Sequence, residues 1–240
     1  MKLIVATIAI IASSLVHATD FSDQLQAMGF SKQVREQRGG IHLDRIKLPF
    51  YGVKTTGTQL QVEADQPVRN GIRTSIDGKL YRYQAINNGE FGGKLLATDA
   101  KANSFTVVED NIVGFFKLQN QLFVLTGLLH MGIDVGSLYR LDEVEGKPRL
   151  SLVTLLTGAP VDVVTDGGRV FILTTGDLEM VDLSDHRPSL QIIVHDGPWY
   201  SVPFNLAMSG SQFAIGMHAG VVVVNYDKFR RQATVQYYAK

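Results

Sequence analysis

Short apolar runs separated by turn residues make up most of the chain after residue 41. The runs hold about four to eight Val, Ile, Leu, Phe and Tyr residues, and Gly, Asp and Asn stand between them. Before residue 41 the pattern is different. Ser22 to Met28 and Ser31 to Arg38 each begin with a serine suited to cap a helix, and glycines follow both segments. The chain is therefore predicted to be all-β over residues 41–240, after one or two short helices within residues 19–40.

Two series of marker residues recur along the predicted strands. The first series is a turn, a polar residue, usually an aliphatic residue, and then an aromatic residue; its aromatics are spaced by 42, 48 and 42 residues. The second is a glycine before an apolar run, spaced by 43, 40 and 44 residues. Two independent series that keep step indicate an internal repeat. The aromatics are Tyr81, Phe123, Phe171 and Phe213, and the glycines are Gly93, Gly136, Gly176 and Gly220.

Each repeat resolves into four strands. In the third unit they are Val161 to Thr165, Arg169 to Thr174, Asp177 to Leu183 and Leu190 to Val194. Four strands in about 40–50 residues is the period of a β-propeller blade. A single twisted blade cannot bury both faces, whereas a ring of blades buries each against its neighbours. The repeat predicts a small β-propeller with units at about 70–110, 111–158, 159–200 and 201–240.

The segments Leu48 to Val53 and Thr58 to Ala64 add two predicted strands before the first unit, within residues 48–64. They could begin a fifth blade that the C-terminus completes, or they could plug the channel. We favour four blades with extra N-terminal strands and leave five open. A β-sandwich is the rival fold, but it would not be expected to keep two phased marker series.

The third repeat carries a resemblance to known propellers. Gly168-Arg169-Val170-Phe171-Ile172-Leu173, followed by Gly176-Asp177-Leu178-Glu179-Met180-Val181-Asp182, resembles the generic repeat of the WD40, quinoprotein-like and YVTN types. The resemblance covers about residues 70–240. It departs from WD40 because the Gly-His and Trp-Asp dipeptides are absent. The resemblance implies a β-propeller architecture. It does not identify any catalytic residue in this chain.

Composition narrows the class of protein further. Of 240 residues, 45% are hydrophobic and 19% charged, as in an ordinary globular protein. With 23 basic and 23 acidic side chains, the formal net charge is zero, which disfavours nucleic acid as a partner. The chain has no cysteine, which excludes disulfides, cysteine nucleophiles, thiolate zinc sites and a lipid-modified N-terminal cysteine.

The N-terminus has the features of a cleavable secretory signal peptide over residues 1–18. Lys2 precedes an apolar run from Leu3 to Ala12, and Val16 and Ala18 occupy the −3 and −1 positions of a cleavage site. A membrane anchor is the alternative, but the run is shorter than the roughly 20 apolar residues that span a bilayer. We therefore predict a periplasmic or secreted protein without stable membrane insertion after cleavage.

The loops that join second to third strands, and one unit to the next, meet on one face of a propeller, where partners commonly bind. Trp199 and Tyr200, after Gly197-Pro198, are candidate contact anchors because aromatic side chains bury large areas in interfaces. In the alternative interpretation, both rings pack beneath the loop. Nine residues of this face are predicted to contact a ligand or partner: Phe91, His130, Met131, Asp134, His195, Asp196, Trp199, Tyr200 and His218.

Histidines and carboxylates on this face could in principle form a metal or acid–base cluster. The sequence has no HExxH, EF-hand or paired-histidine spacing, and no GxSxG, GxGxxG or P-loop in a strand-to-helix context. No catalytic residue, cofactor or metal site is therefore predicted. The recurring Asp99, Asp142 and Asp182, six residues after their glycines, are expected to accept backbone hydrogen bonds in Asx turns.

These observations favour a non-enzymatic binding protein whose partner is another protein, including an inhibitor or immunity protein that neutralises an exported enzyme. The alternative is a periplasmic hydrolase or lyase acting on carbohydrate or peptidoglycan fragments at the channel mouth. An assembly scaffold is a third hypothesis. The sequence leaves the oligomeric state and the identity of the partner open.

Overall fold

The structure is a computed structural model that describes residues 20–33, 49–64, 69–185, 187–199 and 203–240. The predicted signal peptide lies outside these residues. One α-helix, α1 (Phe21–Ala27), and a 3₁₀ helix at Gly89–Phe91 accompany the strands. The strands are β1 (Ser31–Gln33), β2 (Phe50–Thr56), β3 (Gln59–Ala64), β4 (Ser75–Asp77), β5 (Arg82–Asn87), β6 (Gly93–Thr98), β7 (Ser104–Val108), β8 (Ile112–Leu118), β9 (Gln121–His130), β10 (Ile133–Val144), β11 (Lys147–Leu156), β12 (Pro160–Asp166), β13 (Arg169–Thr174), β14 (Leu178–Asp182), β15 (Ser189–Val194), β16 (Asn205–Ser209), β17 (Gln212–His218), β18 (Gly220–Asp227) and β19 (Gln232–Ala239).

Four consecutive groups of four strands form antiparallel sheets. Sheet 1 contains β4 to β7, sheet 2 β8 to β11, sheet 3 β12 to β15 and sheet 4 β16 to β19, each paired in chain order. Sheet 4 is extended by β1 on the free edge of β19 and by the β2–β3 hairpin, whose β2 pairs with the end of β17. The prediction of four-stranded antiparallel units is thus confirmed, and the sheets are arranged as blades, in line with a small β-propeller.

The hydrophobic core is divided among the spaces between successive sheets. Tyr83 and Leu95 of sheet 1 share a cluster with Val124 of sheet 2. Leu125 of sheet 2 packs with Val170 of sheet 3 in a second cluster. A third cluster joins sheets 3 and 4, and a fourth places α1 and the β2–β3 hairpin against sheet 4. Because each sheet is buried mainly by its neighbours, the stack has the packing that makes a ring of blades stable.

The marker aromatics do not all occupy equivalent strand positions. The turns before β9, β13 and β17 have two residues each, with positive φ at Asn120, Gly167 and Gly210, which is typical of two-residue hairpin turns. The turn before β17 is one residue later than the sequence comparison implies. Phe213 therefore faces back to sheet 3, where its ring centroid lies 4.9 Å from that of Phe171.

In sheet 1, a four-residue turn precedes β5, so the marker Tyr81 stands before the strand. Tyr83, two residues later, is the fully buried aromatic of this sheet. Its hydroxyl donates to Glu143 of sheet 2 at 2.9 Å. Burial, together with this carboxylate, raises the pKa of Tyr83 well above its usual range. Tyr81 itself is only partly buried at the edge of the same cluster, because the longer turn places it before the strand.

The N-terminal segment contains one of the two predicted helices. α1 covers most of Ser22 to Met28, but its N-cap is Asp20, whose side chain accepts a hydrogen bond from the backbone N–H of Ser22. The predicted helix beginning at Ser31 is wrong over its first residues, which form β1 and pair with β19. Pairing with an open sheet edge outweighs a weak local helix preference. Residues 34–38 of that prediction lie outside the described part of the chain.

The recurring aspartates differ in role. Asp99 accepts backbone N–H bonds from Lys101 and Asn103, and Asp182 accepts one from Ser184, so both form the predicted turns. Hydrogen bonds from the side chains of Asn103 and Ser184, together with these backbone bonds, lower the pKa of the Asp99 and Asp182 carboxyls. Asp142 does not do this, because it lies inside the longer strand β10, where its carboxylate binds the side chains of Gln121 and Arg140.

A buried polar hub joins the innermost strands near the centre of the molecule. The carboxylate of Asp162 in β12 accepts four backbone N–H bonds, from Asn70, Gly71, Val163 and Leu206, at 2.9 to 3.0 Å. Burial raises the pKa of this carboxyl, against the opposing effect of the four N–H donors. The Asn70 amide adds bonds to the carbonyls of Val53 and Leu206. The hub thereby ties sheets 3 and 4, β2 and the segment before sheet 1 together.

Candidate functional site

The predicted binding residues lie mainly at one end of the sheets, which we call the rim. The strands β5, β9, β13 and β17 all end there, and the turns that begin these strands lie at the opposite end, which we call the turn end. Of the nine candidate residues, Tyr200 lies outside the described residues. The other eight are placed in four separate surroundings.

A projecting β-hairpin is the most exposed part of the rim. β9 pairs with β8 only as far as Thr126, and β11 leaves β10 at Gly136. Beyond the bond from the Gly127 N–H to the Asn111 carbonyl, residues 127–135 continue as two strands paired with each other, with Leu129 opposite Asp134 and His130 opposite Ile133. We call this segment the rim hairpin. Its tip extends beyond the paired part of sheet 2.

Apolar side chains dominate the exposed surface of the rim hairpin. Met131 in its turn is 90% exposed, and Phe91 on the neighbouring 3₁₀ helix is 82% exposed. Leu129, Ile133 and Val135 are each about half exposed. The Nε2 atom of His130 lies 2.6 Å from a carboxylate oxygen of Glu90, which links the hairpin to the 3₁₀ helix. Grouped exposed apolar side chains of this kind mark an interaction surface.

Asp134 anchors the other side of the rim hairpin to sheet 3. Its carboxylate accepts the backbone N–H of Ala159 at 2.6 Å and the Thr175 hydroxyl at 2.5 Å. Both partners belong to loops at the rim end of sheet 3. Asp134 therefore positions the hairpin, with both carboxylate oxygens engaged by the protein itself.

A buried carboxyl lies beneath the same loops. Glu179 in β14 is fully buried; its Oε1 atom accepts hydrogen bonds from the backbone N–H and the hydroxyl of Thr157. Its Oε2 atom has no hydrogen-bond partner among the described residues. Burial, with a smaller effect from the charge of Asp177, raises the pKa of Glu179.

The raised pKa of Glu179 makes the stability of the protein pH-dependent in a definite direction. The folded chain keeps this proton at pH values where the unfolded chain has lost it, so the free energy of unfolding falls as pH rises from about 4.3, the usual pKa of Glu, through the folded pKa. Glu179→Gln removes the titration. We expect the variant to match the wild type below pH 4.3 and to gain relative stability as pH rises, measured by urea unfolding at several pH values.

The exposed Glu109→Gln serves as the control, because it removes a carboxylate at a surface position. Its stability relative to the wild type should not change with pH. If Glu179→Gln instead loses stability relative to the wild type as pH rises, the buried carboxyl is ionised and stabilising in the folded chain.

His195 and Asp196 belong to a second rim site on sheet 3. The His195 Nδ1 atom lies 3.1 Å from Oδ1 of the buried Asp177, which also accepts the backbone N–H of Asp196 at 2.8 Å. The outer nitrogen of the ring, Nε2, lies 4.0 Å from the Asp196 carboxylate. Asp177 therefore fixes the orientation of a largely solvent-exposed imidazole.

Trp199 is buried, contrary to the interpretation in which it is an exposed contact anchor. It is 2% exposed and packs in the cluster between sheets 3 and 4 with Phe171 and Phe213. A Cβ atom at Gly197 would lie 2.3 Å from the indole ring, so the glycine makes room for it. The alternative, a ring packed beneath its loop, describes Trp199 in the structure. A residue with this burial cannot offer its face to a partner.

His218 closes the rim on sheet 4. Its ring lies 3.7 Å, centroid to centroid, from Phe50 of β2 and 4.9 Å from Phe204. The three rim histidines thus have different surroundings: Glu90 for His130, Asp177 for His195 and two phenylalanines for His218. Within the described ranges, no group of three or more His, Asp or Glu side chains could hold a metal ion.

A cavity of about 690 Å³ at the turn end was not predicted from the sequence. It lies along the centre of the molecule and is lined by β2, β4, β8, β12 and β16, the innermost strands, together with residues 70–73. Its cationic lining residues are Lys54, Arg73 and Lys117, and Asp77 is the acidic one. No single stretch of sequence contains this site, because its side chains come from five separate strands.

The four sheets define an all-β chain in line with a small β-propeller. No protein-family model matches it. No curated protein matches its sequence. Among solved structures, it is similar to a chain of a "Nidogen/Laminin Complex", with 10% identity and a TM-score of 0.30, over 79% of this chain and 92% of that chain. At this level of similarity, nothing about the function of that complex applies to this chain.

No helix in the described part of the chain has the length and apolar character needed to cross a bilayer.

Proposed function

We propose that the chain is an exported, non-enzymatic binding protein that contacts another protein through the rim hairpin. The observation that carries this proposal is the apolar surface of the hairpin and the neighbouring 3₁₀ helix, where Met131 is 90% and Phe91 is 82% exposed. Protein interfaces are centred on apolar and aromatic anchors of this kind, and Met side chains adapt their shape to a partner. An exported enzyme that the chain inhibits would be a partner suited to the predicted compartment.

The surroundings of Met131 support its role as an anchor. The residue has positive φ and stands at the tip of a hairpin whose base is fixed by Asp134 and whose side is fixed by the His130–Glu90 pair. An anchor held on a pre-ordered element loses little conformational freedom on binding, which favours affinity. The rim hairpin has this property.

The proposed assembly is a ring of four complete blades, with the β2–β3 hairpin in the position of a fifth, two-stranded blade. Two contacts support this arrangement. β2 lines the central cavity with the innermost strands of the four sheets, and Asn205 of β16 hydrogen-bonds both the N–H and the carbonyl of Val53 in β2. These side-chain bonds connect β2 to β16, in addition to the backbone pairing of β2 with the end of β17.

The binding proposal is tested by capture of partners from an exported-protein extract of the native cells. We expect the wild type to retain a partner and Met131→Glu to bind it about 30-fold more weakly, as for loss of an interface anchor worth about 2 kcal/mol. The matched control is Phe229→Glu at the turn end, where Phe229 is 100% exposed in the β18–β19 turn.

The control should bind the partner as the wild type does, and both variants should keep the wild-type melting temperature. Equal weakening by the two substitutions would show that the rim hairpin is not the contact surface. Turnover of a carbohydrate or peptidoglycan substrate by the purified chain, without any captured partner, would favour the enzyme hypothesis instead.

A further inference from the structure

The cavity at the turn end combines a defined volume with uncompensated positive charge. Its volume of about 690 Å³ lies within the range of small-molecule sites in proteins. The central hub of Asn70 and Asp162 closes its inner end, since Asn70 and Gly71 belong to both. The cavity is thus a pocket with a polar floor, open at the end opposite to the rim hairpin.

Two of its cations have no anionic partner among the residues that the structure describes. Lys54 forms an ion pair with Glu63, but neither Arg73 nor Lys117 makes an ion pair with any described residue. Asp77 is the acidic side chain in the lining, so the charge of the two cations exceeds it. Charge gathered in a cleft between low-dielectric walls attracts ligands of opposite sign.

The backbone holds the two cations on neighbouring segments. Arg73 exchanges two hydrogen bonds with Phe115 of β8, at 2.9 and 2.8 Å, and Lys117 follows two residues later in β8. The polar groups around them are the Thr165 hydroxyl and two oxygens that can accept a hydrogen bond: the Thr55 hydroxyl oxygen, whose hydrogen is donated to the Met208 carbonyl, and the side-chain oxygen of Asn70. Guanidinium and ammonium groups bind carboxylate or phosphate, whereas hydroxyl and amide groups suit the hydroxyls of a sugar.

We infer that this pocket binds a small hydroxylated anion, such as a sugar that carries a carboxylate or phosphate group. Arg73 and Lys117 hold the anionic group, and the threonine hydroxyls contact the hydroxyls of the ligand. The site is separate from the protein-binding rim and lies at the other end of the molecule. Anion binding in this pocket can therefore be tested independently of protein binding at the rim hairpin.

The test is isothermal titration of the mature chain with glucuronate, glucose 6-phosphate and neutral glucose as probes. We expect at least one of the anionic probes to bind more tightly than glucose, and the tighter of the two identifies the anionic group that the pocket prefers. Binding should weaken when sodium chloride is raised from about 0.05 to about 0.5 M, because salt screens charge–charge attraction. Anionic probes that bind no better than glucose would overturn the inference.

The variant for this test is Arg73→Gln combined with Lys117→Gln. Two lost charge-assisted contacts should weaken binding of the anionic probe by at least about tenfold. The matched control is Lys94→Gln combined with Lys101→Gln, which removes the same charge from exposed positions outside the cavity. Equal weakening in the control would mean that total charge, not the pocket, attracts the anion, and would also overturn the inference. Unfolding curves of both variants check that the fold is kept.

Discussion

Asp162→Ala should lower the free energy of unfolding by about 4 kcal/mol or more, since it leaves four backbone N–H groups without their acceptor. A buried donor that loses its partner costs about 1–3 kcal/mol. Burial raises the pKa of Asp162, which shows that the charged carboxylate is costly to bury. Its removal recovers that desolvation cost and offsets part of the loss. The measurement is urea unfolding at neutral pH.

Asp77→Ala is the control for Asp162→Ala, because Asp77 is exposed and its substitution should change stability by no more than about 0.5 kcal/mol. A loss below about 1 kcal/mol for Asp162→Ala would contradict the role of the hub in joining the innermost strands. A reduced m-value with a small loss would point to local opening instead of global unfolding.

Leu25→Ala should cost about 3 kcal/mol, even though the residue lies in the short helix that precedes all the sheets. Leu25 is fully buried and packs in one cluster with Val53 of β2 and Tyr238 of β19. Shortening it to alanine leaves a cavity between α1 and sheet 4. The free energy of unfolding of the mature chain measures the effect.

Gln26→Ala is the matched control for Leu25→Ala, since Gln26 is exposed on the same helix and alanine suits a helix. It should leave stability within about 0.5 kcal/mol of the wild type. If Leu25→Ala is equally mild, the segment after the predicted cleavage site is not part of the folded domain.

The sheets were largely predictable because each strand carries a local pattern and the pattern repeats. Apolar runs with turns between them are a property of short stretches, and the recurrence at Phe123 and Phe171 places equivalent strands in step. The same comparison misplaced Phe213 and Tyr81. The turn before β17 starts one residue later, and the turn before β5 is two residues longer. Both changes keep the spacing of the marker aromatics within the range of the repeat, but they change the face of the sheet on which the aromatic side chain lies.

Contacts between segments far apart in the chain could not be predicted from the sequence. Ser31 pairs with Ala239, 208 residues away, and nothing around Ser31 distinguishes this edge strand from the start of a helix. Trp199 follows a Gly-Pro pair typical of an exposed loop, yet its ring fills the space between two sheets. The cavity brings together Lys54 and Lys117, from strands that are far apart in the sequence.

The rim was predicted as a surface, but its most prominent element was not. Met131 and His130 were candidates because of their loop, whereas the sequence did not indicate that β9 and β10 extend beyond β8 and β11. The excess length of β9, 10 residues against 7 in β8, is seen only in the structure. Two long neighbouring strands joined by Met131-Gly132 indicate a projecting hairpin.

The contact surface is tested most directly by photo-crosslinking in the cells that make the protein. A photoreactive residue replaces Met131 in one variant and Phe229 in another, since both positions are highly exposed and lie at opposite ends of the sheets. A partner bound at the rim hairpin should give a discrete protein adduct from position 131 and none from position 229. Equal adducts at both positions, or an adduct at position 229 alone, would contradict binding through the rim hairpin.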